Sequence, residues 1–281
     1  EVLRTMWTRG TISSSTEMQP WLTTHFVNPS ALYGEAVEAR EVINYAREVI
    51  ADVLFTQPDT IFFTSGGTES TNAAIFGVTK NKKCGHIITI AIEHHAVLEP
   101  IRQLEKQGWN VTYLSVNKAG QIDIEELKKS LRKETVLVSV MYANNEIGTI
   151  QPIADIGREI LKWRKEQKSE FPYFHSDACQ AGPYLDLTVN KLHVDLMSLN
   201  GSKIYGPKGV GILYKRRGIE LEPLLVGGGQ EMGLRSGTEN VPGIVGMATA
   251  LAKVQKAKEI ESKRLEKLRN YFWDEIERRI Q

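Results

Sequence analysis

The chain has 281 residues, 41% apolar and 25% charged, which is enough to bury a large core in the ordinary globular class. Its 35 basic and 34 acidic residues leave a formal charge of +1, which supplies no drive toward nucleic acid or an anionic membrane, so a small-molecule partner is the default. No run of eighteen apolar residues exists to span a membrane, and Cys84 and Cys179 form neither a disulfide framework nor a Cys-x-x-Cys metal pair, which favours a cytoplasmic or organelle-matrix setting.

The first twenty residues, beginning at Glu1, contain no apolar signal core and read as loop or a trimmed start. "EAVEAREVINYAREVIADVL" (35–54) repeats apolar residues every three or four positions and predicts a helix. "TIFFTS" (60–65) is a short β-rich run that stops at Gly66 and Gly67, after which helical character resumes. Strands are then predicted at 86–92, 110–116, 135–143, 173–178, 195–199 and 209–215, with helices at 96–107, 124–133 and 153–168. From 241 to 281 the chain reads as one long helix, small and apolar early and alternating in charge late. Short apolar strands between amphipathic helices imply an α/β fold with a mainly parallel sheet covered on both faces, and ligands in such sheets sit beyond the carboxyl ends of the strands.

The residues at those ends carry recognisable chemistry. "SGGTES" places two glycines before Thr68, where free N–H groups and a helix dipole make an anion site, although taken alone Gly-Gly before a helix is more often a simple turn. His94 and His95 are adjacent where strand passes to helix; they read as caps or surface residues, or as an imidazole stacked on a flat ligand and working as acid or base. "NNEIG" carries Asn145, and Asp177 with Gln180 follows "YFHS". Lys203 lies past "DLMSL" inside "NGSKIYGPKG", a stretch built to hold one loop geometry and to present a nucleophilic amine. A phosphate cradle, an aromatic base, a carboxylate, amide donors and an amine at one edge are the parts that pyridoxal 5'-phosphate needs.

"TSGGTESTN", "EHHAV", "ANNEIGTIQP", "HSDACQA", "DLMSLNGSKIYGPKGVGILY" and "GGGQEMGLRSGTEN" resemble the pyridoxal-phosphate-dependent cysteine desulfurases of the NifS/IscS-like group, in the class V aminotransferase family, from about Met18 to Leu251. The resemblance implies the fold type I large domain over 25–240, preceded by a shortened segment 1–24 and followed by a helix, 241–281, that leads toward an absent C-terminal domain. It assigns Lys203 as the Schiff-base lysine, His94 as the stacking acid/base and Asp177 as partner of the pyridine nitrogen. Gln180 and Asn145 would sit by the cofactor's phenolic oxygen, Gly67, Thr68, Asn200 and Ser202 by its phosphate, and Thr238 by the phosphate of a neighbouring subunit in a homodimer. L-cysteine would be the substrate, alanine the product, and a persulfide the sulfur carrier toward an acceptor or scaffold protein for iron-sulfur assembly. Ser202 stands where the family commonly has histidine, the family's N-terminal "DNAATT" stretch is not recognisable, and neither cysteine matches the sulfur-accepting position. With that cysteine and the carboxylate-gripping arginine missing, the chain as given would turn over cysteine poorly. A selenocysteine lyase, another class V enzyme and a non-catalytic dimerising scaffold are the alternatives.

Overall fold

The computed structural model describes residues 12–280. In chain order its main elements are α1 (Ile12–Thr23), α2 (Gly34–Leu54), β1 (Ile61–Thr64), α3 (Gly67–Thr79), β2 (His86–Ile90), α4 (His95–Lys106), β3 (Asn110–Leu114), α5 (Ile124–Ser130), β4 (Thr135–Ser139), α6 (Ile153–Gln167), β5 (Tyr173–Asp177), α7 (Val189–Leu192), β6 (Leu196–Asn200), β7 (Gly211–Lys215) and α8 (Val241–Arg279). Among the described residues the strands form one seven-stranded sheet in the order β1-β7-β6-β5-β4-β2-β3. The pairs among β3, β2, β4, β5 and β6 are parallel, while β7 runs antiparallel to both β6 and β1. Since β7 is reversed between them, β1 and β6 point the same way and end at the same edge.

Both faces are covered, as the unbroken apolar strands require. Ala74 and Ile75 of α3 and Val97 and Ile101 of α4 pack with Phe62, Ile87 and Leu137 on one face. Ile43 and Ile50 of α2, Ile156 and Ile160 of α6 and Met247 and Leu251 of α8 pack with Ile88, Val138 and Met197 on the other. Helix α8 is capped by Asn240, whose side chain accepts the Gly243 N–H at 3.1 Å, and buries most of its residues between Val241 and Val254. Beyond that point it is mostly exposed and laced with i,i+3 ion pairs such as Glu261–Arg264 and Glu275–Arg278.

Two sequence expectations need correction. The first twenty residues read as loop, yet from Ile12 the chain is helical; residues 1–11 lie outside the described residues. Helix α1 carries Pro20 and is only weakly amphipathic, so local pattern hides it. It is held by packing on α8, where any Cβ at Gly246 would lie 2.5 Å from Met18 Sδ. Helix α5 stops at Ser130 rather than residue 133, because Leu131 turns extended and buries itself in the core.

The sheet interior also holds two histidines as crosslinks. His175 on β5 bonds Ser139 Oγ of β4 at 2.8 Å and Ser198 Oγ of β6 at 2.9 Å. His86 on β2 likewise reaches Thr135 and Thr112. Burial lowers His175 from 6.5 to about 3, and burial with the Arg132 charge lowers His86 to about 4. Both rings stay neutral in the fold while the unfolded chain takes up protons below pH 6.5, so stability falls as pH drops from 6.5 toward 3. For His175 the slope is on the order of 1.4 kcal/mol per pH unit. Urea midpoints at pH 5 and 7 should show the loss, and His175→Gln should flatten it; an equal slope in both proteins would refute the assignment.

Candidate active site

The C-terminal strand edge gathers residues from five connections around one cavity. Its lining includes Gly67 and Thr68 after β1, His94 after β2, Asn145 after β4, Asp177 and Gln180 at the end of β5, and Asn200 and Lys203 after β6. The cradle after β1 depends on Gly66, whose φ of +153° and ψ of 178° exclude a side chain. The main chain then enters α3 at once, and its first-turn N–H groups, which no helical carbonyl reaches, face the cavity end. A Cβ at Gly67 would lie 2.6 Å from Cys179 Sγ, so bare backbone is what brings α3 against the β5 loop.

His94 caps α4: its Nδ1 accepts the Ala96 N–H at 3.0 Å, which puts the proton of the neutral ring on Nε2. The exposed ring also lines the cavity, so the cap fixes the orientation of an imidazole that a ligand can reach. His95 faces outward toward Glu99 at 3.8 Å, in an open groove between α3 and α4 that adjoins the cavity at Thr68 and His94. Asp177 is buried, and its Oδ1 accepts the Cys179 N–H at 3.0 Å. Burial first, then the Asp177 charge, push the Cys179 thiol well up; it stays protonated and serves packing.

Lys203 ends a single 3-10 turn, Gly201–Lys203, opened by Asn200, whose Oδ1 accepts the Ser202 N–H at 3.3 Å. Gly201 N–H bonds Val210 O at 3.0 Å, and a Cβ there would lie 2.7 Å from Pro207 O. The glycines of this connection therefore let its two limbs close on each other and set the root of the lysine.

Ser202, in the turn that carries Lys203, and Thr238, expected at the site of a neighbouring subunit, are not among the residues that line this cavity. Ser202 is exposed, and Thr238 lines a separate cavity with Ser65, Arg235 and Gly237. Three features escaped the sequence reading: Met141 and Ala143, which line the cavity; Glu93 behind it; and the Arg235–Glu69 ion pair at 2.9 Å. Glu69 belongs to the first turn of α3 and also accepts the Ser65 N–H. Burial raises this carboxyl, but the bonds from Arg235 and Ser65 outweigh it and hold it below its usual value, so the arginine offsets a negative charge at an anion cradle. The signal was available in an acidic residue two places beyond Gly67.

The site suits a flat anionic carbonyl compound. Gly67 and Thr68 at the start of α3 leave backbone donors open to a phosphate, Asp177 presents a second carboxylate oxygen beyond the one that Cys179 occupies, and Lys203 supplies an amine to the same cavity. A mainly parallel sheet with such a cleft at its strand ends defines the large-domain architecture of fold type I pyridoxal-phosphate enzymes. The chain belongs to the class V aminotransferase family, whose model, Aminotransferase class-V, matches residues 13–280. It is 50% identical over 270 residues to the cysteine desulfurase IscS of Dictyoglomus turgidum, covering 94% of this chain and 66% of that protein. Against the IscS of Clostridium botulinum strain Hall it is 46% identical, with 94% and 65% covered. The chain thus spans just under two thirds of the length of these curated relatives. A solved structure titled NifS-like protein superposes with a TM-score of 0.90 at 42% identity, over 95% of this chain and 72% of that one. Among the described residues no helix is long and apolar enough to cross a membrane.

Proposed function

We propose that this chain forms the cofactor-binding body of a cysteine desulfurase, a homodimeric enzyme that takes sulfur from L-cysteine and leaves alanine. The observation that carries the reading is the meeting of Lys203, Asp177, His94 and the α3 N-terminus in one cavity. The relatives at 42–50% identity with desulfurase names support it, as does a solved structure titled SspA in complex with cysteine, 43% identical over 86% of this chain with a TM-score of 0.80.

Pyridoxal phosphate would be held by backbone N–H groups of Gly67 and Thr68 with Asn200 at its phosphate, by Asp177 at the ring nitrogen and by Gln180 and Asn145 at the phenolic oxygen. When bound it supplies an electron sink for a carbanion at the substrate α-carbon. Asp177 would keep the ring nitrogen protonated, His94 would lie against the ring and offer Nε2 for proton exchange, and Lys203 Nζ would take the α-proton of cysteine. An acceptor thiolate would then form a sulfur–sulfur bond as the substrate carbon–sulfur bond breaks, its electron pair staying with the carbon fragment that is protonated to alanine; the protonated Cys179 is not that thiolate. Thr238, outside the cavity of its own chain, is proposed to serve the phosphate of a second copy, and delivery of sulfur to a scaffold for iron-sulfur clusters in the cytoplasm or an organelle matrix would follow.

The test is reconstitution with pyridoxal phosphate followed by assays of alanine and sulfide from L-cysteine, with L-selenocysteine and amino-group transfer as comparisons. A visible band with cysteine-dependent spectral change is expected. Preference for selenocysteine, transamination without sulfur release, or no band in a folded dimer would each replace this reading.

A further inference from the structure

Behind the proposed cofactor cleft lies a carboxyl that the reaction scheme does not use. Glu93 follows β2 immediately before His94 and is 6% exposed. Its Oε1 accepts the Met141 N–H at 2.5 Å, from the chain just past β4, while its Oε2 is buried without a hydrogen-bond partner. The surrounding backbone is tied in place: Asn144 Nδ2 donates to Ile92 O at 3.0 Å, and Tyr142 N–H donates to Asp177 O at 2.8 Å. Asp177 stands across from Glu93 at the end of β5 as the charge that acts on it. His94 adjoins it on its own segment, where its backbone N–H acts with that of Met141 to lower the Glu93 carboxyl, and Cys179 stands against Asp177.

An ionised Glu93 would leave a bare anionic oxygen in a dry site next to a second carboxylate, without a cation or N–H on that oxygen. Two charges in such a dry site are costly, and the carboxyl with the bare oxygen is the one that keeps its proton. We propose that Glu93 is a positioning residue that carries its proton, leaving Asp177 as the single anion on the cavity floor and so available to a protonated ring nitrogen. Burial, and then the Asp177 charge, raise the Glu93 carboxyl well above its usual range, in agreement with the geometry.

This inference rests on the pyridoxal-phosphate reading for its purpose, but its protonation state can be tested in the apoprotein. A folded-state acid above its unfolded value near 4.5 costs stability progressively as pH rises from there, until the folded group ionises. Glu93→Gln cannot pay this cost, so its urea midpoint should gain on wild type steadily from pH 5 to 8. Infrared spectra of wild-type apoprotein at pH 7 should contain a protonated-carboxyl C=O band that moves in D2O; Glu93→Gln should lack it. In the reconstituted protein Glu93→Gln should keep pyridoxal phosphate affinity within about threefold and leave the pH titration of the visible band in place, whereas Asp177→Asn should displace it. A parallel pH profile of the two midpoints, or absence of the infrared band in wild type, which needs no variant to fold, overturns the proposal. Failure of cofactor binding in wild type alone overturns the functional reading and leaves the apoprotein results standing.

Discussion

On the proposed desulfurase reading, Lys203→Ala is expected to lower cysteine turnover by about 10^3-fold or more in the reconstituted protein, since one side chain would supply both the covalent anchor and the proton acceptor. The variant should fold: Lys203 is only half-buried at the end of a turn whose geometry is set by backbone bonds and glycines, and a change of this kind costs at most about 1 kcal/mol. Borohydride treatment followed by peptide mass analysis should find the cofactor's mass on the peptide containing Lys203 in wild type and on no peptide in the variant. Adduct on another lysine, or turnover kept within tenfold, would remove Lys203 from the reaction.

Asp195→Ala should cost on the order of 3–5 kcal/mol of stability, the largest loss expected of a single surface-distant polar change in this fold. Asp195 is 2% exposed and ties β6 to three other places. It pairs with the buried Arg164 of α6, takes Arg216 Nε at 2.6 Å from the chain after β7, and accepts the Phe174 N–H of β5 at 2.7 Å. Truncation leaves a guanidinium buried without its counter-ion and an orphaned strand N–H, and both are penalised in a dry interior. Arg164 retains only the Pro172 carbonyl. Urea denaturation at pH 7 measures the effect, and a midpoint close to wild type would show that water or a neighbour rescues Arg164. Because the two sites are far apart in role, Asp195→Ala should spare the visible band in whatever fraction remains folded.

The strands were legible because burial on both faces leaves an unbroken apolar run such as "HIITI" or "TVLVS", and the site was legible because ligands in such sheets gather at strand ends. What lay hidden depends on partners distant in sequence. Helix α1 has little amphipathic signal of its own and is revealed only by Met18 against Gly246. Glu93 looks like any charge ahead of a histidine until the chain after β4 covers it. Thr238 lines a separate cavity of its own chain, and its expected role at the phosphate of a neighbouring subunit needs a second copy that no periodicity encodes. The reversed β7 was readable in part: the ten residues 201–210 between β6 and β7 are too short for a helical crossover.

That reversal sets an order of assembly. The lysine lies on a short connection between neighbouring strands, whose closure costs little chain entropy and can come early. The phosphate cradle follows β1, which pairs with β7 across a separation of about 150 residues, Ile61 opposite Tyr214 and Thr64 opposite Gly211. Docking of this edge strand is thus the event that carries the cradle to the amine. On the proposed pyridoxal-phosphate reading, a chain in which it has not yet happened would hold Lys203 without an anion site, so cofactor capture would mark completed folding.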